Sequence, residues 1–293
     1  MQQKQKDEDQ KEQRAKEDPP GRESIGEEIE EDVEALVEEA QQEVAAARRP
    51  WYQSVMWGRV LLVVYAILLS LFGLLAWWVY YHPVLATDVT ITRAFQEDQA
   101  PWLSYTMIAV SYIGNVQALS IGLVALAAIL FWIVDLRLEA ILVVVVSAVS
   151  ALLNDLIKYI VARPRPTANL VEIIQAARGN SFPSGHVMSY VAFWGILLSL
   201  GIILFKGHYW WRTALLIISA LFVVLVGPSR IYLGDHWASD VVGGYLFSGI
   251  LLGISLWIYL DLKGKGVLAP RGKRARHFHH KYLRRKAGSS DQG

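Results

Sequence analysis

The sequence of 293 residues contains no cysteine and carries almost no net charge. The absence of cysteine excludes disulfide bonds, thiolate nucleophiles and cysteine-ligated zinc. The near balance of 28 Lys and Arg against 27 Asp and Glu hides two tails of opposite sign, because residues 1 to 50 are acidic and residues 263 to 286 are basic. The first long apolar run is not preceded by the short basic region of a signal peptide, so we expect that run to stay in the mature protein.

Apolar residues make up 54% of the chain and gather in long blocks. Crossing a bilayer takes about 20 residues of helix, and six blocks approach or reach that length. Trp and Tyr cluster at the ends of several blocks, as expected for anchors at the membrane interface. The sequence therefore predicts an all-α protein, a bundle of six transmembrane helices. The predicted spans are Val60 to Tyr80, Val116 to Val134, Ala140 to Leu153, Val187 to Phe205, Thr213 to Val226 and Val241 to Leu260.

The two tails lie outside this predicted membrane domain of residues 58 to 262. Residues 1 to 22 are too polar to fold alone and are predicted to be disordered. A capping-box pattern at Ser24 and Glu27 then predicts an acidic amphipathic helix within residues 1 to 50, which either docks on a partner or the basic tail or is simply solvated. The tail of residues 263 to 293 is interpreted as a contact for anionic lipid, not for nucleic acid, and its histidines are not read as a metal site. These histidines are His277, His279 and His280. No pattern indicates an oligomeric state.

The distribution of Lys and Arg between the connecting segments predicts the orientation in the membrane. With six spans, most of the basic residues near span ends fall on one side, which is therefore predicted to be cytoplasmic along with both termini. They are Arg48, Arg49, Arg59, Arg137, Lys206, Arg212 and the basic tail. The segments 83 to 115, 159 to 185 and 231 to 238 then face outward.

Polar segments lie against three predicted span ends on the outer side. The first, KYIVARPRP, has Lys158 followed after six residues by Arg165 and Pro166. These cations could be snorkelling interface anchors, but their charge and the fork geometry of Arg also suit phosphate.

The second polar segment, Ser181 to His186, leads directly into the fourth apolar block. Pro183, Ser184 and Gly185 predict a compact turn into a helix start, where backbone N–H groups and the helix dipole favour an anion. Alone, the segment is equally consistent with a capping Ser beside an unrelated His.

The third polar segment contains Ser229 and Arg230, then His236 after five residues and Asp240 after three more. A helix that starts near Trp237 places His236 and Asp240 on one face, because residues four apart are neighbours. A capping His beside a satisfied Asp is one interpretation. The other is an oriented nucleophile or base, since a carboxylate in an apolar span needs a partner.

Together these segments resemble the type 2 phosphatidic acid phosphatase superfamily, which includes vanadium haloperoxidases. Its three motifs match in order and without gaps at Lys158 to Pro166, Pro183 to His186, and Ser229 to Asp240. The resemblance covers roughly residues 58 to 262. It implies a hydrolase that removes phosphate from a membrane lipid, with no cofactor or metal.

The resemblance also implies a role for each matching residue. His236 attacks phosphorus and forms a phosphohistidine, Asp240 orients its imidazole, and His186 acts as acid and then as base. The remaining motif residues bind the phosphate oxygens and stabilise the transition state: Lys158, Arg165, Ser184, Gly185 and Arg230.

Three nearby charged residues receive other interpretations. Asp155 is expected to pair with Lys158 one turn away on the same helix. Asp235 is expected to shape the loop before His236. Arg163, beside Arg165, is available to touch a lipid headgroup.

Three functions remain in competition on the sequence alone. A lipid phosphatase is favoured over a haloperoxidase, because six spans bring the pocket to a membrane surface. It is also favoured over a non-catalytic phospholipid binder or transporter, which would need the cations but not His186, His236 and Asp240. Undecaprenyl diphosphate is the first substrate expected, ahead of phosphatidylglycerol phosphate and phosphatidate.

Overall fold

The computed structural model describes residues 51–205, 207 and 209–268. The predictions for residues 1 to 50, for Lys206 and for the tail beyond residue 268 lie outside these ranges. Within them, every regular element is a helix, which confirms the predicted all-α class. The helices are α1 (Trp51–Tyr81), α2 (Ala86–Phe95), α3 (Pro101–Asn115), α4 (Gln117–Ile133), α5 (Arg137–Val161), α6 (Gly185–Leu204, with a π-helical turn at Val191–Gly195), α7 (Trp210–Tyr232) and α8 (Ala238–Gly264).

Five of the described helices are long and apolar enough to cross a membrane, and the number is six if one bent pair of helices counts as a single span. The pair is α3 and α4, which meet at 72° around Val116. The predicted span of residues 116 to 134 matches α4. The segment of residues 83 to 115, predicted to lie between the first two spans, contains two helices, α2 and α3.

Two spans extend beyond their apolar blocks and carry polar residues into the bundle. Helix α5 continues to Val161 and so includes Lys158, and α7 continues to Tyr232 and so includes Arg230. Helix α5 then stops at Ala162, whose left-handed backbone (φ 49°) ends the helix ahead of the two prolines of Arg-Pro-Arg-Pro. Proline cannot continue a helix, so the chain leaves toward the start of α6.

Helix α6 occupies the centre of the bundle and is its most buried span. Its residues Ala192, Ile196 and Leu200 pack in one apolar cluster with Val143 of α5. The first turns of α6 contribute Val187 to a second cluster, which α7 and α8 complete. From Arg59 to Tyr81, helix α1 is mostly exposed, as expected for a helix that faces lipid. The central position of α6 holds its first turn between the ends of α5, α7 and α8.

Candidate active site

The three polar segments predicted from the sequence converge at one end of the bundle. There, the C-terminal end of α5 meets the start of α6 and the loop between α7 and α8. Arg165 Nη1 lies 3.3 Å from His236 Nε2, and Lys158 Nζ approaches the backbone of Gly185. Lys158, Arg165, Arg230 and His236 all lie close enough to His186 to act on it electrostatically. The predicted set of residues therefore forms one site.

His236 is buried and held by Asp240, which lies one helical turn further along the chain. His236 Nδ1 is 3.4 Å from Asp240 Oδ2 and also 3.4 Å from Ser181 Oγ. Burial lowers the pKa of His236 to about 3, although the hydrogen bond and charge of Asp240 act in the opposite direction. The imidazole is therefore neutral near pH 7. With the proton on Nδ1, toward Asp240, Nε2 keeps its lone pair and faces Arg165.

The Asp240 carboxylate has several further donors. Its Oδ2 accepts a hydrogen bond from the backbone N–H of Trp237 (2.9 Å) and one from the Ser181 hydroxyl. Its Oδ1 accepts one from Arg163 Nη1 at 2.6 Å. Such contacts stabilise the ionised carboxylate and fix the direction in which it holds His236.

Arg163 does not reach a lipid headgroup, so that interpretation was wrong. Its side chain is fully buried, with Nη2 paired to Asp88 Oδ2 at 2.7 Å and Nε donating to the carbonyl of Pro83 at 2.9 Å. Asp88 also accepts hydrogen bonds from the backbone N–H and hydroxyl of Ser239, at 2.9 and 2.6 Å. Helix α2 thus places a carboxylate at the start of α8, where the helix dipole favours negative charge.

Arg165 is held by backbone carbonyls in a fixed orientation. Its Nε donates to the carbonyls of Arg178 and Gly179, at 3.2 and 3.1 Å, and its Nη1 donates to that of Asp235 at 2.7 Å. Partial burial lowers the pKa of Arg165, but a guanidinium stays protonated at neutral pH. Its Nη2 makes no hydrogen bond to any residue that the structure describes, which leaves one edge of the fork for a phosphate.

Arg230 is almost completely buried and has two polar partners. Nη1 donates to the Ser111 hydroxyl of α3, and Nη2 pairs with the Asp235 carboxylate. Its buried Nε has no hydrogen-bond partner among the described residues. Burial raises the pKa of Asp235, while Arg230 and Arg165 act to lower it.

The first turn of α6 provides donors of a different kind. Ser184 precedes the helix as its N-cap, and its buried Oγ has no partner in the described ranges. A Cβ on Gly185 would lie 2.9 Å from Asn154 Oδ1 and 3.4 Å from Lys158 Nζ, so glycine lets these side chains approach the helix start. Backbone N–H groups, the helix dipole and an ammonium together favour an anion here. Asp155 is exposed and makes no ion pair with Lys158 within 4 Å, so the predicted pairing was wrong.

His186 lies in the same turn of α6, against α3. A Cβ on Gly114 would overlap the His186 ring, which shows how closely the ring packs on the α3 backbone. Tyr190, one turn further, fixes this contact because its hydroxyl donates to the carbonyl of Val110 and accepts from the N–H of Gly114 at 3.2 Å. His186 Nε2 is buried and has no hydrogen-bond partner in the described part of the chain. Among the described residues, it is the one other imidazole near the cations around His236.

Sequence reasoning missed the residues of α2 and α3, and one signal in α2 could have found them. Asp88, Thr92 and Gln96 recur at intervals of four and are all buried, so a polar stripe of this short helix turns inward. Gln96 donates from Nε2 to the carbonyls of Glu172 and Tyr232, at 2.8 and 2.9 Å. Polar residues at helical spacing between two apolar spans are a signature of an inward polar face.

The arrangement combines a neutral, oriented imidazole with donors suited to phosphate. Lys158, Arg165 and Arg230 supply positive charge, and the start of α6 supplies backbone N–H groups. A group of this type stabilises the charge that develops during phosphoryl transfer. Among the described residues, no three His, Asp or Glu side chains group closely enough to hold a metal ion.

The chain is similar to several known proteins. The PAP2 superfamily matches residues 139–264. The chain is 29% identical over 184 residues to phosphatidylglycerophosphatase B of Bacillus subtilis (strain 168), a match that covers 62% of this chain and 87% of the relative. It is 27% identical over 154 residues to a putative undecaprenyl-diphosphatase of Escherichia coli (strain K12), covering 51% and 70%.

A solved structure shares the fold as well. It is described as the first transmembrane PAP2 type phosphatidylglycerolphosphate phosphatase from Bacillus subtilis, and it aligns with a TM-score of 0.55 at 26% identity. The alignment covers 66% of this chain and 94% of that one. Residues 139–264 therefore form a PAP2 superfamily region, and the chain is a multi-pass membrane lipid phosphatase.

Proposed function

We propose that the protein removes the terminal phosphate of a membrane lipid through a covalent phosphohistidine on His236. The observation that carries this proposal is the orientation of His236. Its Nδ1 faces Asp240, and its Nε2 faces Arg165 in a site that also contains the unpartnered Nε2 of His186. A pocket that only bound phosphate would need the cations but not a neutral imidazole aimed among them.

In the first step, the lone pair of His236 Nε2 forms a bond to phosphorus while the bond from phosphorus to the lipid oxygen breaks. His186, protonated when the anionic phosphate is bound beside it, donates its proton to the leaving oxygen. The imidazole of His236 becomes positively charged, and Asp240 stabilises that charge at 3.4 Å. The products of this step are the lipid alcohol and phosphohistidine.

In the second step, neutral His186 removes a proton from a water molecule that attacks phosphorus. The bond from phosphorus to nitrogen breaks, and its electron pair returns to His236 Nε2. Inorganic phosphate leaves, and both imidazoles regain their starting protonation states. Lys158, Arg165 and Arg230, with Ser184 and the backbone of Gly185, stabilise the phosphate oxygens in both transition states.

Two lipids are the leading candidates for the substrate. Phosphatidylglycerol phosphate is supported by a phosphatidylglycerophosphatase relative that is covered over 87% of its length. Undecaprenyl diphosphate, the first expectation from the sequence, is supported by the relative covered over 70%. Phosphate release from purified protein with each lipid and with phosphatidate should separate them, because the phosphate-binding groups are shared and only the lipid differs.

Trapping the intermediate tests the mechanism. Wild-type protein mixed with substrate labelled in its terminal phosphate and quenched in alkaline denaturant, in which phosphohistidine survives, should carry label on His236. We expect His236→Ala to lose turnover and label but keep its fold, since the substitution removes the nucleophile. His82→Asn is the matched control, because His82 is exposed on a stacked contact with Trp78. Substantial label on His236→Ala would exclude this nucleophile.

The second step has its own test with His186→Gln and p-nitrophenyl phosphate. This substrate has a good leaving group that needs little protonation, so the first step should continue while the water attack slows. Label on His236 should therefore accumulate above the wild-type level. If the variant accumulated no label and hydrolysed both substrates at the wild-type rate, His186 would not be the acid and base.

We also propose that the site faces outward, as the Lys and Arg distribution predicts, with both termini in the cytoplasm. Because the chain has no cysteine, Asn169→Cys near the site and Val134→Cys between α4 and α5 can be probed separately. Both positions are exposed. A membrane-impermeant thiol reagent added to intact cells should label only Asn169→Cys. Labelling of Val134→Cys alone would show that the site faces the cytoplasm, but it would not affect the proposed chemistry.

A further inference from the structure

The Asp235 carboxylate is a buried negative charge beside the groups proposed to bind phosphate. Its side chain is only 1% exposed, and it lies directly before the proposed nucleophile. It contacts Arg230 Nη2, and neither of its oxygens has a further hydrogen-bond partner among the described residues. Buried carboxylates are normally surrounded by donors, as Asp240 is in the same site.

The surroundings of Asp235 contain two cations. Arg230 reaches its carboxylate from α7, and Arg165 Nη1 donates to its backbone carbonyl at 2.7 Å. Both cations act electrostatically on the carboxylate. Arg230 does not depend on Asp235 for its position, because Ser111 also holds its Nη1 and its stem is buried in α7.

A phosphate bound by Arg230 and Arg165 would therefore share both cations with this carboxylate. Like charges that share a site repel each other, and the effect is strong where solvent is excluded. Three cations converge on the proposed phosphate position, which would bind the product tightly as well as the substrate. Because the Asp235 carboxylate pairs with Arg230, it lowers the positive charge available to phosphate and weakens the binding of inorganic phosphate after hydrolysis.

We propose that Asp235 is an internal competitor for Arg230 that limits how tightly the site holds phosphate and so speeds release of the product. The role deepens the proposed phosphatase function and rests on it. Asp235 lies at a position that the sequence motif leaves open, between Arg230 and His236. It is a positioning residue, since it acts through Arg230 and not on phosphorus.

Asp235→Asn tests this role, because the amide oxygen can still accept a hydrogen bond from Arg230 while the negative charge is gone. We expect inorganic phosphate and vanadate to inhibit the variant at concentrations about tenfold lower than for the wild type. KM for the lipid should fall, and kcat should fall because phosphate leaves more slowly. Asp235→Ala should change the same constants in the same direction.

The matched control is Asp155→Asn, which removes the same charge from an exposed position on α5 three residues from Lys158. Its inhibition constants should stay within about twofold of wild type, since solvent screens an exposed charge. Phosphate-dependent stabilisation against thermal unfolding gives a second readout for a variant that folds but turns over slowly. Here too, Asp235→Asn should respond at lower phosphate concentrations than wild type.

Unchanged or weaker phosphate binding in both Asp235 variants would overturn the inference and assign Asp235 to support of Arg230. That result is distinct from failure of the proposed mechanism, which the label on His236 reports. A wild-type protein without label would refute the phosphohistidine, even if Asp235→Asn bound phosphate more tightly. A labelled wild type with unaltered phosphate inhibition in the variants would refute only the role of Asp235.

Discussion

The two ends of the bundle both contain buried charge, but they differ in how that charge is satisfied. At the end opposite the site, Glu139 of α5 accepts hydrogen bonds from the Tyr259 hydroxyl (2.7 Å) and Lys263 Nζ (2.5 Å), both on α8. Lys263 Nζ also lies 2.9 Å from the Tyr259 hydroxyl. Glu139 is about 28 Å from Lys158 along α5, from the helical rise.

At the site end, by contrast, several buried polar atoms have no partner in the described residues. They are Ser184 Oγ, His186 Nε2 and Arg230 Nε, together with the free oxygen of Asp235. An unsatisfied buried polar group costs free energy that packing elsewhere must offset. At the far end, Glu139 and Lys263 pair with each other and so hold α5 against α8. At the site end, the polar groups without partners are arranged to bind a ligand.

Arg163 is the strongest test of this distinction, because it is fully satisfied yet lies at the site end. If a complete set of hydrogen bonds meant that a residue is purely structural, Arg163→Gln would change only the stability of the protein. We expect kcat to fall on the order of 100-fold with little change in KM, because Arg163 acts through Asp240 on His236. Arg163→Lys should recover part of the loss.

Arg137→Gln is the control for Arg163, since Arg137 forms a half-exposed ion pair with Asp135 at the other end. Its kinetic constants should match those of wild type. Asp88→Asn should reproduce the Arg163 effect more weakly, because the charge of one partner of Arg163 is lost while Asp240 remains. Equal losses in kcat and in thermal stability for all three variants would remove the distinction between the two ends.

Gly114→Ala gives the next largest expected effect and tests the position of His186. The new Cβ would displace the His186 ring, so proton donation to the leaving oxygen should weaken. We expect lipid hydrolysis to fall about 10- to 100-fold and hydrolysis of p-nitrophenyl phosphate to fall less, in line with general acid catalysis. Gly122→Ala, where a Cβ meets nothing within 4 Å, is the control. Equal losses on both substrates would point to a general disturbance of α3.

These residues also show how far the sequence could predict the structure. The motif positions His236, Asp240 and Arg165 meet as expected, because each lies at a span end and the spans are fixed by long apolar runs. Asp88 and Gly114 were not found, because their roles depend on how α2 and α3 fold back over the site. The polar repeat of α2 marks an inward face, but it does not say which part of the bundle that face meets.

Arg163 illustrates a second limit. On the sequence it is equivalent to Arg165, two residues away, and both follow the end of α5. The left-handed turn at Ala162 and the intervening proline send Arg163 inward to Asp88 and Asp240, and leave Arg165 at the pocket. The distinction requires backbone geometry and a partner from α2, which composition and spacing do not reveal.

Glu139→Gln should have a smaller effect, on stability and not on activity. The variant keeps an acceptor for the Tyr259 hydroxyl but loses the ion pair with Lys263, whose side chain is 31% exposed. We expect a loss of about 1–2 kcal/mol in the free energy of unfolding, less than for a fully buried pair. The kinetic constants should stay within about twofold of wild type. A large fall in kcat would show that the two ends are coupled along α5 and α8.

The last expected effect concerns pH, and it compares the folded site with the unfolded chain. The pKa of His236 is about 3 in the folded protein and about 6.5 in an unfolded chain. Between these values the unfolded chain binds a proton that the folded protein does not, so His236 disfavours folding increasingly as pH falls below 6.5. The thermal midpoint of wild type in detergent should therefore drop more between pH 7 and pH 5 than that of His236→Asn, which lacks this titration. Asp235, whose raised pKa acts in the opposite direction, is present in both proteins and cancels in the comparison. Equal drops for the two proteins would mean that His236 titrates normally and is not held neutral by burial.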